Sequence, residues 1–326
     1  MMQVEEFSVD DDEGWASLVG ACGGNALHLP AIHLAQHEPD ELRLLAFRDG
    51  GAAVGCVLAI LSGRKGIRRV LGGGRTLTLP TAPAAASDVP DGALRDALFG
   101  YARENSCDRL VVQPAYGQRL CGDEELARFR SGAITEFILA LDGDEDSIAA
   151  AYHKTHRKNV RRAIRQGLVL TENSGLTGLA LLREMQMTSA QRASERAEGF
   201  GVPAEEYFRR VHEHVYAPGH GHVILAELAG RPVATLAWIA AAGRVQTVRS
   251  GSSPEGYETR AMYFLYDELI RRSIRQKMIE INCGGVPLEA ADREHPQHGL
   301  YEFKAGFGSG AFVRHGLDIP MAETSR

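Results

Sequence analysis

The apolar positions of the chain follow one plan twice, half a chain apart. LLAFRDGGAAVGCVLAI (44–60) is an apolar run, a turn centred on Asp49-Gly50-Gly51 and a second apolar run, which predicts an antiparallel hairpin. ILAELAGRPVATLAWIA (224–240) repeats it with Ala229-Gly230-Arg231 at the turn. Aspartate or alanine followed by glycine supplies the positive φ that a tight hairpin needs. Aligning Leu45 with Leu225 matches Ala46 with Ala226 and Gly50 with Gly230; dropping one turn residue then matches Val54 with Val233. A spacing of roughly 180 residues is too long for a solenoid, so two copies of one α/β unit are expected.

The flanking periodicity fills in both copies. The first predicts a helix over 11–22, the hairpin, a third strand near 67–72, and a Gly/Pro/Ala-rich loop over 72–87. A helix over 91–106 with Asp91 as N-cap follows, then strands over 108–114 and 133–141. Early acids in GDEDS suit the positive end of a next helix. The second copy predicts helices over 176–194, 204–216 and 257–276, with strands over 222–229, 232–241, 244–250 and 278–282. A helix and strand over 298–316 end it. The fold class is therefore α/β with mixed sheets, in two domains, 1–142 and 143–326.

Composition narrows the classes. An apolar fraction of 44% and a charged fraction of 24% are those of a soluble globular protein. The acidic start MMQVEEFSVDDDEG lacks the pattern of a signal peptide, and no apolar run is long enough to span a membrane. Five scattered cysteines without a C-x-x-C pair read as small buried residues of a reduced, cytoplasmic protein. With 36 Lys+Arg against 42 Asp+Glu, the chain is no general nucleic-acid binder.

Against that acidic background, one segment stands apart. HKTHRKNVRRAIRQG (153–167) holds six Lys or Arg, and no acid lies between Asp146 and Glu172. Lys154, Arg157, Lys158, Arg161, Arg162 and Arg165 follow the i, i+3, i+4, i+7, i+8, i+11 spacing of one helical stripe within a basic helix over 152–166. Tyr152, His156, Val160, Ala163 and Ile164 fall largely on another side and can pack inward. A solvated or acid-paired surface is one reading of the stripe. A cradle for phosphates or carboxylates, whose geometry suits arginine, is the other.

The helix K-x-x-R-K-x-x-R-x-x-x-x-x-G followed by a strand resembles the mid-chain motif of the FemABX-like acyltransferases, a branch of the GNAT superfamily with two tandem GNAT-type domains. GLYEFKAGFGSGAFVRHG (299–316) is similar to that family's G-x-x-x-F-K-x-x-F-G run, and INCGGV (281–286) fits the strand and Gly-rich turn before it. The resemblance covers most of 40–316 and implies acyl transfer to an amine. Its best-known members move an aminoacyl group from aminoacyl-tRNA to a peptidoglycan precursor, and relatives build peptide bonds in natural-product pathways. It maps function onto Phe303 and Lys304: the lysine would stabilise the oxyanion formed when an amine attacks the donor ester, and the phenylalanine would help orient that lysine or the donor end. A fixed donor at such an oxyanion is worth about 2.7–4 kcal/mol. The alternative for Lys304 alone is a snorkelling lysine on an amphipathic helix. Its stem is expected between the aromatic surfaces of Phe303 and Phe307, near the domain junction.

A CoA-dependent GNAT domain holds pyrophosphate on backbone N–H groups of an R/Q-x-x-G-x-G/A loop opening a helix. RSGSSPEGYETRAMYFLYDEL (249–269) has Gly251 and Gly256 but not that spacing, and Glu255 and Glu258 would repel a phosphate. GGGRT (72–76) precedes a loop rather than a helix. This favours aminoacyl-tRNA over acyl-CoA as donor, with no cofactor and no metal. His295, His298 and Asp292, in the loop before Lys304, are candidates for the base or the acceptor contact. Tyr257, Arg260 and Tyr263 are candidates for the second pocket wall. His212, His214, His220 and His222 read as a helix end and loop, and Cys283 as a small strand-end residue. No long helical arm of the peptidoglycan-directed members is present, so a small natural-product amine or peptide fits the acceptor as well as a cell-wall precursor. The other readings are an acyl-CoA-dependent N-acyltransferase and a non-catalytic module binding RNA or an anionic glycan.

Overall fold

The structure, a computed structural model, describes residues 2–63, 74–117, 119–194 and 201–324. The third strand expected near 67–72 and the first glycines of the 72–76 run lie outside them. The chain divides into two compact units, Met1–Ile134 with Val313–Arg326, and Thr135–Phe312. A single cut after 142 would leave the C-terminal strand with the second half; its pairing assigns it to the first.

The first unit opens with β1 (Gln3–Phe7), α1 (Asp12–Ala21) and the short α2 (Pro30–His33). It continues through β2 (Leu42–Asp49), β3 (Ala52–Ser62), β4 (Thr76–Leu79), β5 (Ala84–Ala85), α3 (Asp91–Glu104) and β6 (Arg109–Val112). β7 (Arg130–Ala140) leads into the second unit, which holds α4 (Glu145–Ala151), α5 (Lys154–Arg165), β8 (Val169–Glu172), α6 (Leu176–Ser194) and α7 (Glu205–Val211). There follow β9 (Gly221–Leu228), β10 (Arg231–Ala241), β11 (Arg244–Ser252), α8 (Pro254–Glu258), α9 (Ala261–Arg275), β12 (Glu280–Pro287) and α10 (His298–Ala305). β13 (Gly310–Pro320) returns the chain to the first unit.

Both copies share one topology. In the first, antiparallel β2–β3–β4 is followed by α3 and by β6, which lies parallel to β4. In the second, antiparallel β9–β10–β11 is followed by α9 and by β12, parallel to β11. The hairpins agree in register. Asp49 faces Ala52 across Gly50-Gly51, and Leu228 faces Arg231 across Ala229-Gly230, with positive φ at all four turn residues. Each hairpin carries one unpaired extra residue, Val54 in the first and Val233 in the second. The repeat therefore runs at one offset, with Gly51 rather than Gly50 opposite Gly230 and no residue dropped. The last strands are exchanged: β7 follows β6 in sequence but neighbours β12, and β13 follows β12 but pairs with β6.

Several local expectations change. The 72–87 loop contains β4, because Thr-Leu-Thr-Leu alternates and buries Leu77 and Leu79. Pro90, not Asp91, occupies the N-cap position of α3, with no side-chain capping bond; the Asp91 carboxylate accepts instead from Arg119 at 3.1 Å. The helix expected over 257–276 is two helices, interrupted by Arg260 in the left-handed region at φ 63°. The one expected over 204–216 passes after Val211 into a π-helical turn, His212–Tyr216.

Each unit has its own core. In the first, Leu45, Phe47, Val57 and Leu79 of the strands meet Leu94 and Leu98 of α3. In the second, Ile224, Leu236, Trp238 and Ile281 meet Leu265, Leu269 and Ile270 of α9, with Phe307 beyond α10. α5 joins this second core through Ala163 and through His156, whose ring meets Phe307, and Val160 is buried on the same helix. Burying an aliphatic side chain is worth about 1.5–3 kcal/mol, whereas each like-charge i,i+4 pair costs a few tenths, so packing of the inner face outweighs repulsion along the stripe.

Candidate active site

Lys304 lies in the last turn of α10 and is 8% exposed, so it does not snorkel. Its ammonium donates to the Gly285 carbonyl at 3.0 Å, in the Gly-rich end of β12. Burial pulls its pKa down from 10.5 to about 8, opposed by the nearby Cys283 and Glu136. Gly284 makes room for this approach: its φ is +79°, and a Cβ there would stand 3.1 Å from the lysine nitrogen.

Behind the lysine is a buried polar set that no spacing in the sequence points to. Asn282, fully buried, donates from Nδ2 to Glu136 Oε1 at 2.8 Å and accepts the Gly284 N–H on Oδ1 at 2.7 Å. Thr247 donates to the Asn282 carbonyl at 3.3 Å. A buried amide bonded on both sides is a rigid element, and here it fixes the turn that receives Lys304. Cys283, beside it, is 1% exposed and its thiol is pushed up to about 12 by burial, which keeps it protonated at neutral pH.

The rings of Phe303 and Phe307 pack on one another at 5.3 Å and on Tyr263 and Tyr266. Into this aromatic cluster comes His156 from α5, edge-on to Tyr263 at 4.9 Å and to Phe307 at 4.8 Å. Its Nε2 lies 2.9 Å from the Phe303 carbonyl oxygen. The backbone N–H of His153 donates to the Gly306 carbonyl at 2.8 Å, and Ser309 Oγ donates to the Lys304 carbonyl at 2.8 Å. The segment before the basic stripe and the F-K helix are thus tied together by hydrogen bonds.

The stripe itself divides. Arg157 is half-buried and donates to the Ala150 and Tyr152 carbonyls at the end of α4, a structural duty the spacing does not reveal. Lys154, Lys158, Arg161, Arg162 and Arg165 are exposed and, among the described residues, form no ion pair. Arg157 and Arg161 also line a recess of about 470 Å³ beside Tyr152, Asp146, Asp267 and Arg271. Arg271 is already engaged there by Asp267 and Glu145, each at 2.9 Å.

The remaining candidates are placed as follows. His298 Nδ1 donates to the Ala290 carbonyl at 3.0 Å, and His295 Nδ1 accepts the Gln297 N–H at 3.1 Å. Asp292 accepts the Glu294 N–H at 3.0 Å. These three fold the loop before α10, and none is a polar neighbour of the Lys304 ammonium. Tyr257 lies under the Arg192 guanidinium at 3.2 Å; Arg260 holds the left-handed junction before α9. His222 pairs with Glu172 at 2.9 Å and stacks on Trp238. Glu255, expected to repel a phosphate, is paired with Arg231 at 3.1 Å. Gly251 and Gly256 answer to packing: a Cβ would stand 2.4 Å from the Met185 carbonyl carbon in one case and 2.1 Å from the Val233 oxygen in the other. Among the described residues no helix is long and apolar enough to cross a membrane.

The acetyltransferase (GNAT) domain model matches residues 153–304, from the cap of α5 to Lys304. No curated protein matches the sequence. The fold is similar to the crystal structure of FemX at 12% identity and a TM-score of 0.75, covering 97% of this chain and 96% of that one. It is also similar to L-PGS from Bacillus licheniformis, at 16% identity and 0.56, with 96% and 92% covered. A tandem GNAT protein from the clavulanic acid biosynthesis pathway is similar at 15% identity and 0.53, with 98% and 99% covered. Residues 153–304 thus carry the match to an acetyltransferase (GNAT) domain, and the chain as a whole has a fold similar to that of FemX and of the tandem GNAT protein.

Proposed function

We propose that the protein is an aminoacyltransferase, joining an aminoacyl group carried by a tRNA to the amine of a small molecule or peptide. The observation that carries this reading is the row of five exposed cations on α5, unpaired among the described residues, on a helix hydrogen-bonded through its inner face to the helix bearing Lys304. A polyanionic donor held along that row would bring its acyl ester toward α10. Likeness to FemX, within a family whose best-known members use aminoacyl-tRNA, supports the same donor.

In the reaction, the acceptor nitrogen forms a bond to the ester carbonyl carbon and the carbonyl oxygen becomes an oxyanion. Lys304 would stabilise that charge as an ammonium in a site where burial strengthens the interaction. Collapse breaks the bond to the ribose oxygen, which leaves with a proton lost by the attacking amine. Phe303 acts through packing, keeping its helix against the aromatic cluster.

A second reading, acyl-CoA-dependent transfer, is favoured by the GNAT acetyltransferase domain match. Lys304→Ala tests whether the chain is an enzyme at all. Lost transfer with retained tRNA binding supports the proposal, and unchanged transfer removes Lys304 from the chemistry.

A further inference from the structure

The last turn of a helix leaves carbonyls without intrahelical partners, and a buried one must find a donor elsewhere. In α10, Gly306 N bonds the Glu302 carbonyl at 2.9 Å and Gly308 N bonds that of Ala305 at 3.1 Å. Phe307 N turns to the Lys304 carbonyl at 3.5 Å, and that oxygen also accepts from Ser309. The Phe303 carbonyl is served by His156 of α5. A carbonyl only accepts, so His156 carries its proton on Nε2 and leaves Nδ1 bare; this nitrogen is buried without a partner. Burial holds the ring neutral.

The contact is also fitted sterically. The ring lies so close over Gly306 that a Cβ there would stand 2.0 Å from Cε1. Gly306 has an ordinary helical φ of −70°, so the ring is what requires a glycine at this position. A histidine in the midst of six cations, with one nitrogen spent on the residue before Lys304 and the other left bare, does more than fill the core.

We infer that His156 is a positioning residue, which sets the place of Lys304 by capping the Phe303 carbonyl from the basic helix. The catalytic meaning of that placement rests on the proposed role of Lys304; the coupling itself does not. Moving His156 moves the last turn of α10, and with it the lysine that must reach Gly285.

The test reads Lys304 directly. Competitive labelling with trace acetic anhydride from pH 6 to 11, followed by peptide mass spectrometry, gives the lysine's titration and reactivity without a substrate. His156→Phe keeps a ring and loses the donor; His156→Gln keeps an amide donor. The phenylalanine variant is expected to move the Lys304 titration upward from about 8 toward that of a free lysine, with labelling at least threefold altered. The glutamine variant should restore most of the difference. In a transfer assay, His156→Phe should lower kcat about tenfold and leave KM within twofold. A Lys304 titration unchanged in His156→Phe overturns the inference, whatever transfer does. A shifted titration in that variant together with a fully active Lys304→Ala supports the coupling and overturns the proposed reaction. Should the phenylalanine variant not fold, nitrogen NMR of histidine-labelled wild-type protein decides: Nε2-protonated His156 supports the inference, and an Nδ1-protonated ring overturns it.

Discussion

The Lys304 ammonium and the Gly285 carbonyl oxygen are 3.0 Å apart in a buried setting, and among the described residues that is the hydrogen bond the ammonium makes. A lysine held by one backbone oxygen is poorly compensated for the water it gave up. On the proposed reading, Lys304 serves the reaction rather than stability. Replacing it with methionine should therefore separate the two. Lys304→Met is expected to lower transfer by at least about 100-fold while raising stability at pH 7 by about 1–2 kcal/mol in urea unfolding. A methionine variant that is both active and less stable would contradict the account.

The pH dependence follows with a definite sign. Lys304 titrates at about 8 in the folded chain and at 10.5 when free. Between those values the unfolded chain binds more protons, so this residue's contribution to stability increases as pH rises through that window. Stability of the wild type relative to Lys304→Met should climb by up to about 1.4 kcal/mol per pH unit from pH 8 to 10, and stay flat below 7. Transfer that depends on the ammonium should fall over the same interval. Paired urea titrations across pH check the first, and pH–rate profiles the second.

Two glycines of α10 and its end should respond oppositely to the same change. Gly306→Ala places a Cβ in the His156 ring and is expected to cost about 1–3 kcal/mol. Gly299→Ala meets nothing within 4 Å and should be neutral or stabilising by up to about 1 kcal/mol. Equal effects in thermal or urea unfolding would mean that the ring does not constrain the turn.

The basic helix should likewise split by role. Arg161→Glu with Arg165→Glu is expected to weaken tRNA binding and to reduce the salt slope by about 1.4, at roughly 0.7 for each phosphate no longer neutralised. Arg157→Ala should instead lower stability by about 1–3 kcal/mol, because it strips the Ala150 and Tyr152 carbonyls of their donor. A salt slope unchanged by the double substitution would remove the cradle.

What the sequence discloses depends on whether a residue's partner is near in the chain. The hairpins at Gly50-Gly51 and Ala229-Gly230 are legible because turn chemistry is local, and so are the stripe and the F-K run. The shared bulge at Val54 and Val233 needs the register, and it corrects the offset of the repeat. β13 is visible as a strand, but its pairing with β6 is not, since strand partners are set by the whole sheet. The set Glu136, Asn282 and Lys304 joins three distant segments and leaves no spacing to read. His156 is visible only as an inward residue of a basic helix; the Phe303 carbonyl that it caps lies 147 positions away. Arg157 resembles its neighbours because a stripe records direction, not the acceptor at its end.

The proposed donor is most directly tested by offering the protein charged tRNA, the same tRNA after RNase treatment, and acyl-CoA, each with an amine acceptor, and measuring amide formed. The account predicts product from intact charged tRNA, loss after RNase, and none from acyl-CoA. RNase-insensitive transfer, or transfer from acyl-CoA alone, would contradict it.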